Sequence, residues 1–240
     1  MFPYLKFVLA ASILLFLIAP KASHTATGLA SAATTPATAL APAPTEPMAA
    51  KSLDVHVSAT RTVTTVATVP RVPFYSQFTD ITAPFWKKVG CGITDLTMII
   101  DYYHPGVATV NEMLRKGLAA GAYDYNAGWI YQGLINLSHA YSLDGRYYDL
   151  SGLSQKAALA RFESYLGTGP VILSVHYKFN PASTIPHLIV VNGISNNVVY
   201  YNDPATTVGT QAISLSRFLQ GWKRKVIVIR PTSTAAASKT

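Results

Sequence analysis

Apolar residues recur at helical spacing through the middle of the chain and at strand-like density toward its C-terminal end. In "CGITDLTMIIDYY", Leu96, Ile99, Ile100 and Tyr103 fall on one face of a 3.6-residue period. That spacing predicts a helix over 91–103, stopped by Pro105 and Gly106. "TVNEMLRKGLAAG" predicts a second helix, with Thr109 as N-cap and Gly121 as stop. "GWIYQGLINLSHAY" predicts a third, and "LSQKAALARFESYL" from Leu153 to Leu166 a fourth. The pattern then changes. "GPVILSVHY", "HLIVVNGI", "NVVYYND" and "KVIVIR" are β-branched and aromatic runs punctuated by Gly, Pro and Asn. "SNN" is a hairpin-like turn between two of them, and "SLSRFLQGW" reads as a short helix before the last. "RVPFYSQF" reads as a short strand or an extended lead-in. Helices first and strands later predict an α+β fold with a largely antiparallel sheet.

Upstream this periodicity is lost. From about Ser23 to Val69 the chain is rich in Ala, Thr and Pro, and "TTPATALAPAPTEPMAA" has no hydrophobic period and only Leu40 and Met48 as large apolar residues. Such a stretch buries too little to offset chain entropy and reads as a tether. Within it, "SLDVHVSATRTVTTVATV" is β-prone enough to suggest one strand. Ahead of the tether, Lys6 and the apolar run Phe7 to Pro20 have the layout of a signal peptide. The run is shorter than the roughly 20 residues that span a bilayer. "ASA" at Ala30 to Ala32 fits a small-x-small cleavage pattern, while Ala22 and Ala26 lie closer to the run. An uncleaved anchor is the alternative. The expected organisation is a signal peptide or anchor over 1–26, a linker over 27–70, a globular domain over 71–231 and a tail over 232–240. Export beyond the cytoplasm follows, with retention at the membrane if the N-terminal segment stays.

Composition narrows the function. Half of the 240 residues are hydrophobic and only 12% are charged, which supports a packed core. The formal charge of +8 is spread out, the tightest group being Lys223, Arg224 and Lys225. With no nucleic-acid recognition motif beside it, the charge implies a basic surface suited to an anionic cell envelope and no nucleic-acid partner. A single cysteine excludes an internal disulfide and every multi-cysteine zinc or iron–sulfur pattern. No H-E-x-x-H spacing is present, and "GCG" lacks the other glycines of a phosphate loop, so neither metal nor cofactor is expected.

The lone cysteine is the candidate for chemistry. Cys91 sits between two glycines at the predicted mouth of a helix. Unpaired N–H groups and the dipole there stabilise a thiolate, and the same groups can hold an oxyanion. The glycines suggest a tight turn and close approach of a substrate backbone. A small buried hydrophobe is the competing account of a lone cysteine. A base tips the balance. His187 opens "HLIVVNG" and Asp203 closes "YYNDP", at similar distances from "SNN". Centring the turn near 195.5 sets His187 opposite 204, within one residue of Asp203. An imidazole so paired is held in the tautomer that accepts a thiol proton. A surface strand histidine and an "NDP" turn former are the plainer alternatives. His176 is the second candidate base. Gln77 is neutral and offers an N–H donor, and by composition alone is unremarkable.

Taken together, "VPFYSQF", "GCGITDLTMIIDYY", "GPVILSVHY" and "HLIVVNGISNNVVYYNDP" resemble the papain-like cysteine peptidases of family thirty-nine. More narrowly, they resemble the stand-alone "peptidase C-39-like" domains of exported bacterial proteins. The resemblance spans about Val72 to Ile229. It implies a papain-like fold, a helical half packed on the sheet with a cleft between. It also implies Cys91 as nucleophile, His187 as general base, Asp203 as the residue orienting it and Gln77 as oxyanion donor. The family commonly has "GCGPTS"; here Ile93 and Asp95 replace the Pro and Ser, and Pro186 replaces the usual small residue before the histidine. Asp95 lies one helical turn after Cys91, where a carboxylate can oppose thiolate formation or bind a substrate amine.

Three functions follow. The first is an exported thiol hydrolase that cleaves peptide or amide bonds in a peptide or protein substrate. The second is a non-catalytic peptide- or cell-wall-binding module with Trp86, Tyr123, Tyr125 and Trp129 as its groove; those aromatics are otherwise core. The third is a transglutaminase-like acyltransferase that uses the same residues with an amine in place of water.

Overall fold

The computed structural model describes residues 69–232. The expected signal segment or anchor, the linker with its β-prone stretch up to residue 68, and the tail from 233 lie outside the described residues. Among those described, no helix is long and apolar enough to cross a membrane.

Residues 71–76 are the extended lead-in and have no strand partner. Other groups hold them. The Asn202 side-chain amide donates to the carbonyls of Val72 and Pro73 at 3.3 and 3.1 Å, and the Gln77 N–H donates to the Pro204 carbonyl at 2.9 Å. A short helix, α1 (Trp86–Val89), leads into α2 (Cys91–Tyr103). Helix α3 (Val110–Ala119) starts at Thr109, whose hydroxyl accepts from the Glu112 N–H at 3.2 Å, and is followed by Gly121 at φ +64°. Both ends match the residues that predict them. The predicted third helix starts late. Gly128 and Trp129 belong to β2 (Gly128–Trp129), paired with β1 (Tyr123–Asp124), and α4 (Tyr131–Ser138) begins only after them.

The main sheet has six antiparallel strands in the order β3 (Leu143–Asp149), β8 (Trp222–Pro231), β4 (Val171–His176), β5 (Pro186–Ser195), β6 (Val198–Asn202), β7 (Gln211–Ser214). Both faces are covered. Leu188 and Val190 of β5 join the cluster built with α2, α3 and α4. Ile189 and Val191 join Phe162 of α5 (Gln155–Leu166) and Phe218 of α6 (Leu215–Gly221). Alternating residues of β5 therefore all find apolar surroundings, which is why its sequence is an unbroken apolar run.

The β5–β6 hairpin positions the chemistry. Asn196 and Asn197 close it at φ +50° and +60°, the left-handed pair of a type I′ turn. Ser195 pairs with Val198, so the turn centres one residue later than the sequence suggests, and a bulge between Val191 and Gly193 shifts the register once more. Val190 faces Asn202. Continuing that register puts Asp203 beside Ile189, two residues from His187, so the histidine and aspartate meet diagonally and not as direct opposites.

Candidate active site

Cys91 is the first residue of α2, half-buried, with Gly90 as N-cap. Its flanking glycines serve packing, not turn geometry. Gly90 has φ −80°, open to any residue, but a Cβ there would meet the Ile81 side chain and lie 2.7 Å from the Trp86 carbonyl. A Cβ on Gly92 would lie 2.7 Å from Cβ and Cγ of Trp129. The Trp129 ring is fixed where it is, its Nε1–H donating to the Val89 carbonyl at 2.7 Å. "GCG" is thus small on both sides because Ile81 and the Trp86 carbonyl close on one glycine and the Trp129 ring on the other.

His187 is the second residue of β5 and 4% exposed. Its Nε2 meets Asp203 Oδ1 at 2.7 Å, and the same carboxylate oxygen accepts from the Ala205 N–H at 2.8 Å. The ring is also in side-chain hydrogen-bonding reach of Cys91. With Nε2 committed to Asp203, Nδ1 is the nitrogen left to the thiol. Burial works against a charged ring here. The hydrogen bonds to Asp203 and Cys91, with the negative charge each can carry, outweigh it and push His187 up to about 10. The imidazolium is therefore the stable form at neutral pH, and an imidazolium beside a thiol at a helix N-terminus is what a thiolate nucleophile needs. The Tyr177 ring stands edge-on to His187, centroids 5.2 Å apart. Nothing in the sequence marks Tyr177, which follows β4 directly, just before Lys178 and Phe179 turn the chain at positive φ.

Gln77 is 3% exposed and lines the same cleft as Cys91 and His187. Its Nε2 donates to the Lys87 carbonyl at 2.8 Å, which uses one of two amide hydrogens and leaves the other. The cleft has a volume of about 530 Å³. Tyr123, Tyr125 and Trp129 of the β1–β2 region line it, with Tyr177, Ile185 and Pro186 approaching from the β5 side. Of the four aromatics expected as a groove, Trp86 packs on Tyr123 and Trp129 without lining the cleft, and Tyr125 is the most open at 76% exposure. Ser174 also lines the cleft, on β4 opposite Leu188, a position the sequence does not signal. His176 is turned to another partner, its Nδ1 meeting the Ser183 carbonyl at 3.1 Å. Among the described residues no group of three or more His, Cys, Asp or Glu side chains is placed to hold a metal ion.

Asp95 departs from its expectation. It is fully buried, and neither carboxylate oxygen has a hydrogen-bond partner among the described residues. Burial, then the proximity of Cys91, holds it well above the usual carboxylate range. It does not line the cleft, so a substrate amine bound there does not meet it.

Residues 69–226 match the family model described as Peptidase_C39 like family. The chain belongs to that family. It is also similar to the Pediocin PA-1 transport/processing ATP-binding protein PedD of Pediococcus acidilactici, 30% identical over 142 residues. That match takes in 59% of this chain and 17% of the much longer relative. Two solved structures are similar in shape at low identity. One is a double glycine motif protease from an AMS/PCAT transporter in complex with the leader peptide, with 19% identity, a TM-score of 0.48, and coverage of 68% of this chain and 94% of that one. The other is the peptidase domain of Streptococcus ComA, with 19% identity, a TM-score of 0.46, and coverage of 60% and 93%.

Proposed function

We propose that this protein is a cysteine peptidase that hydrolyses peptide or amide bonds in the cleft at the start of α2. The observation that carries the reading is His187, buried and hydrogen-bonded to Asp203 at 2.7 Å while within reach of the Cys91 thiol. The Cys91 thiolate adds to the scissile carbonyl carbon, and the carbonyl electron pair moves to oxygen. The free N–H of Gln77 and the Cys91 backbone N–H hold that oxyanion. The oxyanion collapses, the C–N bond breaks, and His187 gives its Nδ1 proton to the departing amine. Neutral His187 then takes a proton from water, whose oxygen attacks the thioester. The acid product leaves, and the thiolate–imidazolium pair is restored. Asp203 fixes the ring's tautomer and orientation throughout. The signal-like N-terminal sequence supports a location outside the cytoplasm, and family membership supports a peptide or protein substrate.

Incubation with a peptide library in heavy-oxygen water, read by mass spectrometry, tests the reading. A hydrolase yields new carboxyl termini carrying one heavy oxygen, lost in Cys91→Ala. New amides to an added amine, without heavy oxygen, indicate an acyltransferase. Retention of peptides without any cleavage indicates a binding module.

A further inference from the structure

One polar side chain in the cleft has no part in the mechanism. Ser174 interrupts the apolar run "VILSV" of β4, whose five residues are all buried, and is itself 6% exposed. Leu173 and Val175 on either side of it pack with Phe162 of α5 and Phe218 of α6, whereas Ile172 packs with α2. Alternation along the strand therefore turns Ser174 toward α2. Leu188, its direct partner on β5, shares that face and also lines the cleft. Leu188 follows His187, so Ser174 stands across the sheet from the neighbour of the general base. Strand β4 is held on both sides, by β8 and β5, and the bulge in its pairing with β8 falls directly after Ser174. A bulge of this kind re-aims a side chain. The Ser174 hydroxyl has no hydrogen-bond partner among the described residues. The other uncharged amides of the cleft are spoken for or open: Gln77 serves the oxyanion, and Asn126 is exposed on the β1–β2 turn. Among the described residues that line the cleft there is no carboxylate, and Lys88, which is exposed, is the charged side chain besides His187. The cleft thus has little to offer by ion pairing.

We infer that Ser174 is a substrate-binding residue: its hydroxyl hydrogen-bonds to a main-chain amide of the bound peptide close to the scissile bond, and so aligns an extended substrate in the cleft. The inference rests on the peptidase reading and adds how the substrate is held. A hydroxyl this buried costs free energy if the cleft fills without giving it a partner. A ligand that brings an amide to it is favoured over one that brings a methylene, as in any site built to hydrogen-bond its substrate. The main chain meets that need whatever the side chains are, because every peptide substrate carries amides on both sides of the bond that Cys91 attacks. A valine or isoleucine would suit the apolar run of β4 as packing; a serine there suits a ligand.

The test compares the full-length protein with Ser174→Ala on the library peptide it cleaves fastest. The same peptide is also made as a series of analogues in which one main-chain amide at a time, other than the scissile one, is replaced by an ester. The expected result is that Ser174→Ala lowers kcat/KM by about tenfold, the scale of one hydrogen bond. One ester position beside the scissile bond should cost the native protein a similar factor and cost Ser174→Ala little, the coupling of two groups that touch. A second readout separates binding from a merely structural role. Methyl methanethiosulfonate, a small thiol reagent with no amide, should modify Cys91 at the same rate in both proteins. Equal kcat/KM in the two proteins overturns the inference alone. So does an ester cost that is the same in both at every position, and so does a slower thiol reaction in Ser174→Ala. A native protein that cleaves no library peptide, with Cys91 no faster than an ordinary thiol, overturns the peptidase reading itself, and with it the inference.

Discussion

Replacing Gly92 by alanine separates two opposed effects that the structure ranks. Gly92 is the second residue of α2, where alanine is preferred over glycine by at most about 1 kcal/mol, the helix-interior figure. Propensity alone therefore predicts a stabilised protein. Packing predicts the reverse. The new methyl would lie 2.7 Å from Cβ and Cγ of Trp129 and 2.9 Å from Cδ1. The indole cannot retreat freely. Its Nε1–H is bonded to the Val89 carbonyl at 2.7 Å, and its Cζ3 already closes on Gly117 from the other side. Overpacking against a fixed ring costs about 1–3 kcal/mol, and three contacts below 3.0 Å put this case at the upper end. The net expectation is a loss of about 2 kcal/mol, or roughly 4–8 °C in Tm for a domain of this size. Thermal and urea unfolding followed by circular dichroism measure it. The double variant Gly92→Ala with Trp129→Leu sharpens the test. With the indole removed, the alanine should become neutral or stabilising, a coupling visible in the mutant cycle. A Tm that rises in the single variant would refute the packing account of the "GCG" sequence.

Other expectations follow from the His187–Asp203 pair and from Gln77. Asp203→Ala removes the strongest influence favouring a charged His187. Burial then gains weight, and the ring's midpoint falls from about 10 toward its ordinary 6.5, read by a proton NMR titration of the imidazole. The sign follows for reactivity: the imidazolium, now kept at every pH below about 10, is lost across the neutral range, and iodoacetate alkylation at pH 8 falls with it. The same substitution strands one member of a buried pair and should cost about 3–5 kcal/mol in urea unfolding. Gln77→Ala should lower kcat by about 10²–10³ while KM changes little, since an oxyanion donor acts on the transition state; an altered KM with unchanged kcat would reduce Gln77 to its bond with the Lys87 carbonyl.

Much of the site is legible because it rests on short-range rules. The apolar period and the stop at Pro105–Gly106 fix α2, and with it Cys91 at a helix mouth. The Asn pair in "SNN" fixes the hairpin that brings Asp203 back toward His187. The pairing arithmetic nevertheless misses by a residue, because the turn centres later and Asn192 sits at a bulge no local pattern announces. Strands β3 and β7 escape prediction for a different reason. They lie at the two edges of the sheet and keep half or more of their residues exposed, so "LDGRYYD" and "QAIS" lack the apolar run that marks β4 or β5. The two-residue strands β1 and β2 are too short to have a period. What sequence misses most is burial. Spacing correctly sets Asp95 on the face of Cys91, yet only the packed structure shows that it is sealed from solvent, with burial pushing its carboxyl above the usual range. Likewise the glycines beside Cys91 suggest an open approach for substrate, whereas distant Trp129 and Ile81 are the reason for them.

The central claim is that Cys91 is paired with His187 as a nucleophile, and its reactivity with iodoacetamide at pH 6 tests this most directly. An ordinary thiol is only about 0.3% thiolate at that pH, from a reference pKa near 8.5. A thiolate held by His187 should react faster than free cysteine by a factor on the order of 100, and His187→Ala should remove the advantage. A rate equal to that of free cysteine, or one that survives His187→Ala, would contradict the account.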